Sequence, residues 1–179
     1  MKTSIFLSYP TPHLAAQMAF VNRFRLLLVS RDFELQTLGV SEMCITKPLV
    51  SIRRMIQSTS GIVIIALRRT LVSAGKIRAL VDIHGLQETD LDSVWWTSPY
   101  CQIEAAMAYQ EGIPILICRE KGVISEGMLE EDAAGVYLPE FDSASPGAFF
   151  DTFAFNNGIR QWEILVNHHN KAMSKTSEI

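Results

Sequence analysis

The chain has 179 residues, of which 48% are hydrophobic and 20% charged, with a formal net charge of −3. That is enough for one domain with a sizeable core, at an ordinary globular composition. The mildly acidic balance argues against nucleic-acid binding as the main job, because neutralising phosphates needs a basic face, so no nucleic-acid partner is expected.

Three cysteines, Cys44, Cys101 and Cys118, form no CxxC pair and suit a reducing compartment. The opening MKTSIFLSYP has too short an apolar run for a signal sequence. The longest apolar run, IVIIAL, is far short of a membrane span. A cytoplasmic protein without a membrane partner is expected.

In chain order, residues 4–9 (SIFLSY) are an apolar run stopped by Pro10 and predict a first strand. Residues 12–31 carry Leu14, Met18, Val21 and Leu28 at helical spacing and predict a long helix opened by Pro12. Residues 32–38 alternate and predict a second strand. Residues 47–60 predict a helix with Pro48 near its start, and 61–67 (GIVIIAL) a β-branched strand buried on both faces. From Thr70 to Thr97 runs an unusually long connection, with a candidate short helix in SAGKIRALVDIHG and an acidic stretch ending at Trp95-Trp96. Residues 98–111 predict a helix, 113–118 (IPILIC) a strand, and 135–138 (GVYL) a short last strand. From Pro146 the chain is expected to be helical to about Met173, with a candidate break at Asn156-Asn157-Gly158, and the terminal SKTSEI is expected to fray.

Strands alternating with helices imply right-handed βαβ units and a parallel sheet covered on both faces. The expected fold is α/β: a flavodoxin-like, doubly wound, five-stranded parallel sheet of order 2-1-3-4-5 with an extra C-terminal helical segment. Residues 1–145 form the α/β domain and 146–179 a helical extension packed on it. Ligands of such sheets bind beyond the carboxyl ends of the strands, where the order reverses. Those ends are Ser8-Tyr9-Pro10-Thr11 and Ala66-Leu67-Arg68-Arg69.

Several motifs are missing. No GxGxxG follows the first strand, Gly75-Lys76 lacks the rest of a phosphate loop, and no GxSxG elbow is present. His168 and His169 are adjacent and so diverge on a helix, while His13 and His84 are isolated, so no metal site is expected. Cys101, on an early helical turn, is a candidate for a lowered pKa, but a packed thiol is the simpler reading.

The segment SPYCQIEAAMAYQEG has a complete set of helix signals. Ser98 is a natural N-cap, Pro99 suits the first position, Gly112 suits the C-cap, and Ala105, Ala106 and Ala108 permit close approach to the sheet. By local rules alone its Glu104 is a solvated helix residue.

The stretch Ser98-Pro99-Tyr100-Cys101-Gln102-Ile103-Glu104 resembles the signature of TIR domains, with Tyr100 where that family usually has Trp. Ile5–Tyr9 resembles the family's opening strand, and Lys47–Ser58 followed by Gly61–Leu67 resembles its next helix and strand; the resemblance spans about residues 3–140. Glu104, Ala108, Gly112 and Pro114 are also similar to the E-x-x-x-A…G-x-P ending of nucleoside 2-deoxyribosyltransferases, whose Asp-Gly-Thr stretch is absent here.

What the TIR resemblance implies is cleavage of the nicotinamide–ribose bond of NAD, with NAD as substrate and no cofactor, and with Glu104 as the essential acid. The products expected are ADP-ribose, a cyclic ADP-ribose or a conjugate, as a signal in antiphage defence read by an effector protein. A homo-oligomer is also implied. Ser8, Tyr9 and Thr11 are candidate ribose or phosphate contacts, and equally turn and cap residues. Arg68 or Arg69 is a candidate partner of the pyrophosphate. Trp95, Trp96 or Tyr100 is a candidate stacking surface, Cys101 is a candidate substrate contact beside them, and the 70–97 connection is a candidate lid. The alternatives are a nucleoside or nucleotide N-glycosidase or deoxyribosyltransferase, and a non-catalytic TIR-like interaction module.

Overall fold

The computed structural model describes residues 2–37 and 48–176. The expected strand end at Leu38, the helix start at Lys47, Cys44 and the last three residues of SKTSEI lie outside these.

Among the described residues seven strands and four α-helices follow one another. The strands are β1 (Thr3–Ser8), β2 (Phe33–Gln36), β3 (Ile62–Ala66), β4 (Thr70–Ile77), β5 (Thr89–Trp96), β6 (Ile115–Arg119) and β7 (Val136–Tyr137). The helices are α1 (Ala15–Ser30), α2 (Pro48–Gln57), α3 (Pro99–Gln110) and α4 (Phe153–Thr176). A parallel five-stranded sheet has the order β2-β1-β3-β6-β7, which is the expected 2-1-3-4-5 order once β4 and β5 are set aside as a separate pair.

Side chains alternate across the sheet with the period of two that a strand imposes. Ile5, Leu7, Val63, Ile65, Leu116 and Cys118 face a core shared with α1 and α4, while Phe6, Ile62, Ile64, Ala66, Ile115 and Ile117 face α2 and α3. Strands hydrophobic on both sides can only sit between two helical layers, and these do. On the α1/α4 side the core is aromatic: Phe20 stacks on Phe141 at 3.7 Å, and Phe24, Phe149, Phe150 and Phe155 close around them.

Three expectations are corrected. First, α1 begins at Ala15 rather than at Pro12, and Leu14 and Met18 are exposed. Its inward face carries Gln17 instead, because Gln17 Nε2 donates to the Arg68 carbonyl (3.0 Å) and to Glu120 Oε2 (2.9 Å). A polar side chain is stable in a core when its hydrogen bonds are made there. Second, the short helix expected in 73–85 does not form; β4 and β5 pair antiparallel from Thr70↔Trp96 to Ile77↔Thr89. Third, α4 runs through Asn156-Asn157-Gly158 without a break. Gly158 is needed there for close approach, since a Cβ would lie 2.7 Å from Leu138 Cδ2. The helix is anchored by fully buried Trp162, whose Nε1 donates to the Pro114 carbonyl at 3.1 Å.

Candidate active site

The sheet reverses direction of winding between β1 and β3, and α3 crosses the carboxyl end of this junction. Its start is fixed as the sequence signals require: Ser98 is extended (φ −67°, ψ 136°) and its Oγ accepts from the Tyr100 N–H at 3.2 Å. Pro99 takes the first helical position, where no N–H is needed. Ala105 and Ala108 are fully buried, so the helix lies close to β3 and carries Glu104 inward. Glu104 is only 5% exposed, which corrects its reading as a solvated residue.

Above it opens a cleft of about 480 Å³, within the ordinary range of small-molecule sites. Its walls come from the turn after β1 (Ser8 to Thr11), from Arg69 after β3, and from Ser98, Tyr100, Cys101 and Glu104 of α3, with Thr37 and Pro48 at the side.

The Glu104 carboxyl accepts one hydrogen bond, from the hydroxyl of Ser8. Burial pushes its pKa up to about 7, and the Ser8 bond opposes part of that rise. Glu104 therefore changes charge near neutrality, the range in which a general acid or base works best. Cys101 lies beneath, 1% exposed, with its Sγ 3.9 Å from the hydroxyls of Ser8 and Thr97. Burial, then the neighbouring Glu104, push its thiol up to about 12, so the candidate lowered pKa is corrected: it is a neutral, packed thiol.

The other sequence candidates divide. Tyr9, Thr11 and Tyr100 line the cleft, with the Tyr9 hydroxyl accepting from Arg25 Nη1 at 3.2 Å. Arg68 does not reach it: its N–H donates to Glu120 Oε2 (2.7 Å), its Nε to the Lys121 carbonyl (2.6 Å), and its guanidinium faces Trp95. Trp96 is also turned away, donating its Nε1–H to Glu126, while Trp95 bridges to Val123. Both tryptophans thus tie the base of the β4–β5 hairpin to residues 122–126. No residue from Thr70 to Trp96 lines the cleft, so the candidate lid is a hairpin standing clear of it.

Of the two candidates Arg68 and Arg69, it is Arg69 that lines the cleft. The parity of the two could not be read beyond the end of β3, where no pleat fixes which side chain points where. Glu120, 1% exposed, gave no sequence signal; it accepts from Gln17, the Arg68 N–H and Ser143, and holds the end of β3 to α1 and β6. Among the described residues no group of three or more His, Cys, Asp or Glu is arranged to hold a metal. Nor is any helix among them long and apolar enough to cross a membrane.

No family model matches the sequence, and no curated protein matches it. Solved structures that align with most of the chain include the following two. A 2-desoxiribosyltransferase from Leishmania mexicana is 15% identical over 83% of this chain and 96% of its own, with a TM-score of 0.45. A conserved protein from Enterococcus faecalis V583 is 11% identical over 96% of this chain and 99% of its own, with a TM-score of 0.43. At these values neither says what this chain does, and the likeness to TIR domains rests on its motifs alone.

Proposed function

We propose that this protein breaks, or exchanges, the N-glycosidic bond of a nucleoside-type substrate, with Glu104 acting at the anomeric carbon. One observation supports this: a carboxylic acid, 5% exposed, forms the floor of an open cleft at the switch point of the sheet. A buried acid held by a single hydroxyl costs the fold stability and fills no packing need. Such groups concentrate where chemistry is done.

In the bond-breaking step, the electron pair of the C1′–N bond leaves with the base and C1′ gains oxocarbenium character. Ionised Glu104 stabilises that charge, or bonds to C1′ to give a glycosyl-enzyme. Water or a second base then adds at C1′, releasing the Glu104 carboxylate where the glycosyl-enzyme has formed, and the acceptor's proton passes through Glu104 or solvent to the departed base. Water as acceptor makes the protein a hydrolase; a base as acceptor makes it a transferase of the deoxyribosyltransferase type.

A second reading uses the same residue. Among the described cleft residues Glu104 is the single carboxylate, so no other acid is at hand to protonate a departing base. Nicotinamide departs from an already cationic ring and needs no proton, which favours NAD as substrate, with ADP-ribose, its cyclic form or a conjugate as product. The TIR-like stretch around Glu104 points the same way, and with it come the expected homo-oligomer and effector partner.

The purified protein, at low and high concentration, should be incubated separately with NAD and with nucleosides and deoxynucleosides, with and without a second free base. Chromatography then follows the released base. Base from nucleosides supports the first reading and nicotinamide from NAD alone the second. No release from any of them overturns both.

A further inference from the structure

The cleft carries one acid and one base among its described lining residues, Glu104 and Arg69. Arg69 is held from both sides of its backbone: its N–H donates to the Trp96 carbonyl at 3.0 Å, and Thr70 pairs with Trp96 in the hairpin. Among the described residues its guanidinium makes one long contact, Nη1 to Ser98 Oγ at 3.4 Å. Among the described residues no carboxylate lies within ion-pair distance of it, whereas Arg31 and Arg119 are paired with Glu163 and Glu140. An unpaired surface arginine is ordinary. An unpaired arginine with a pinned backbone, facing the cleft that holds a buried acid, is a built feature.

The neighbouring start of α3 is not itself an anion site, because its donors are used. Tyr100 N–H goes to Ser98 Oγ, Cys101 N–H to the Ser98 carbonyl, and Pro99 has none. Among the described lining residues the charged donors are those of the Arg69 fork, which matches a phosphate in geometry and charge. Ser98 and Glu104 are six residues apart on α3, so roughly 9 Å separates them along the axis. Long helical side chains lean towards the N-terminus, which brings the carboxyl nearer. A ribose with C1′ over Glu104 and its 5′-phosphate at Arg69 spans such a distance, while a bare nucleoside leaves Arg69 without a partner.

Resting on the glycosidic-bond reading above, we propose that Arg69 recognises a phosphate ester, so that the substrate is a nucleoside 5′-phosphate, either a mononucleotide or the pyrophosphate of a dinucleotide, rather than a nucleoside. Arg69 sets specificity; Glu104 does the chemistry.

Binding decides this without turnover. Calorimetry on Glu104→Gln, which spares the ligand, compares AMP, dAMP, dTMP and NAD with adenosine, deoxyadenosine and thymidine. At least one phosphorylated probe should bind about tenfold or more tightly than its nucleoside, the scale of a charge-assisted hydrogen bond. That advantage should fall to about twofold or less in Glu104→Gln/Arg69→Gln, survive in part in Glu104→Gln/Arg69→Lys, and weaken with salt, as a charge contact does. The preferred probe separates the two phosphate sources. Equal binding of nucleoside and nucleotide, an advantage that survives Arg69→Gln, or binding of none of the probes each overturns the proposal. Base release from nucleosides with no preference for phosphate would overturn it while leaving the reaction itself standing.

Discussion

The hydroxyl of Ser8, the last residue of β1, donates to Oε2 of Glu104, 96 positions further along the chain. This contact joins the centre of the sheet to α3 at the floor of the cleft. It is also the only hydrogen bond to the Glu104 side chain among the described residues, so one donor faces the full desolvation of a carboxylate. The acid is left close to neutrality, ionised often enough to act and buried enough to act strongly.

Ser8→Ala removes the one group that favours the charged form. A hydrogen bond to a charged group is worth about 1.5–3 kcal/mol, or roughly one to two pKa units, so the Glu104 pKa should climb further above about 7. The acidic limb of the kcat/KM–pH profile for base release should move to higher pH by that amount. Activity should be lost mostly below pH 8 and largely recovered by about pH 9–10. An unmoved midpoint would show that the Ser8 contact does not set the charge of Glu104.

Glu104→Gln should make the protein more stable at alkaline pH. The folded-state pKa of Glu104 is raised to about 7 from 4.5, so between these values the folded state holds a proton that the unfolded state has lost. Stability therefore falls as pH rises through that window and stays lower above it. The full shift corresponds to a ceiling of about 3 kcal/mol. Gln keeps an acceptor for Ser8 and has no charge to desolvate. Denaturant titrations should place Glu104→Gln about 1–3 kcal/mol above the wild type at pH 8.5, with the gap closing towards pH 4.5. A gap that is the same at both pH values contradicts the assignment.

Gly61→Ala tests the docking of α4. A Cβ at Gly61 would meet Val166 Cγ2 at 2.6 Å and Trp162 Cζ2 at 3.0 Å, both on a helix packed into the core. Overpacking of this kind costs about 1–3 kcal/mol. Thermal unfolding should then shift down by roughly 2–10 °C. An unchanged midpoint would mean that α4 yields freely at this contact.

How much of this was legible in the sequence differs from element to element. β3 announces itself because IVIIA is β-branched throughout and must be covered on both faces. α3 announces its start through Ser98 and Pro99. The side on which Glu104 lies is a different matter, since apolar and small residues surround α3 with no single stripe, and only the tertiary fold turns Glu104 inward. The face of α1 was misread for a related reason. Gln17 is buried by partners on Arg68 and Glu120, 51 and 103 positions away, which no local pattern contains. The β4–β5 hairpin was hidden by Lys76 at the end of β4 and by Arg78, Ala79 and Leu80 in the connection after it, which have helix-forming side chains although the strands pair on either side. Arg68 and Arg69 are adjacent just beyond a strand end, and what separates them is the pinning of Arg68 by Glu120 and Lys121.

The most direct measurement is the steady-state rate of base or nicotinamide release by wild type and by Glu104→Gln on the best substrate found, at pH 8, with folding of both checked by near-UV circular dichroism. Loss of the carboxylate that stabilises charge at C1′ should lower kcat by about 10²–10³, with the fold intact. A Glu104→Gln protein that turns over within a few-fold of the wild type would remove Glu104 from the chemistry and contradict the proposed function at its centre.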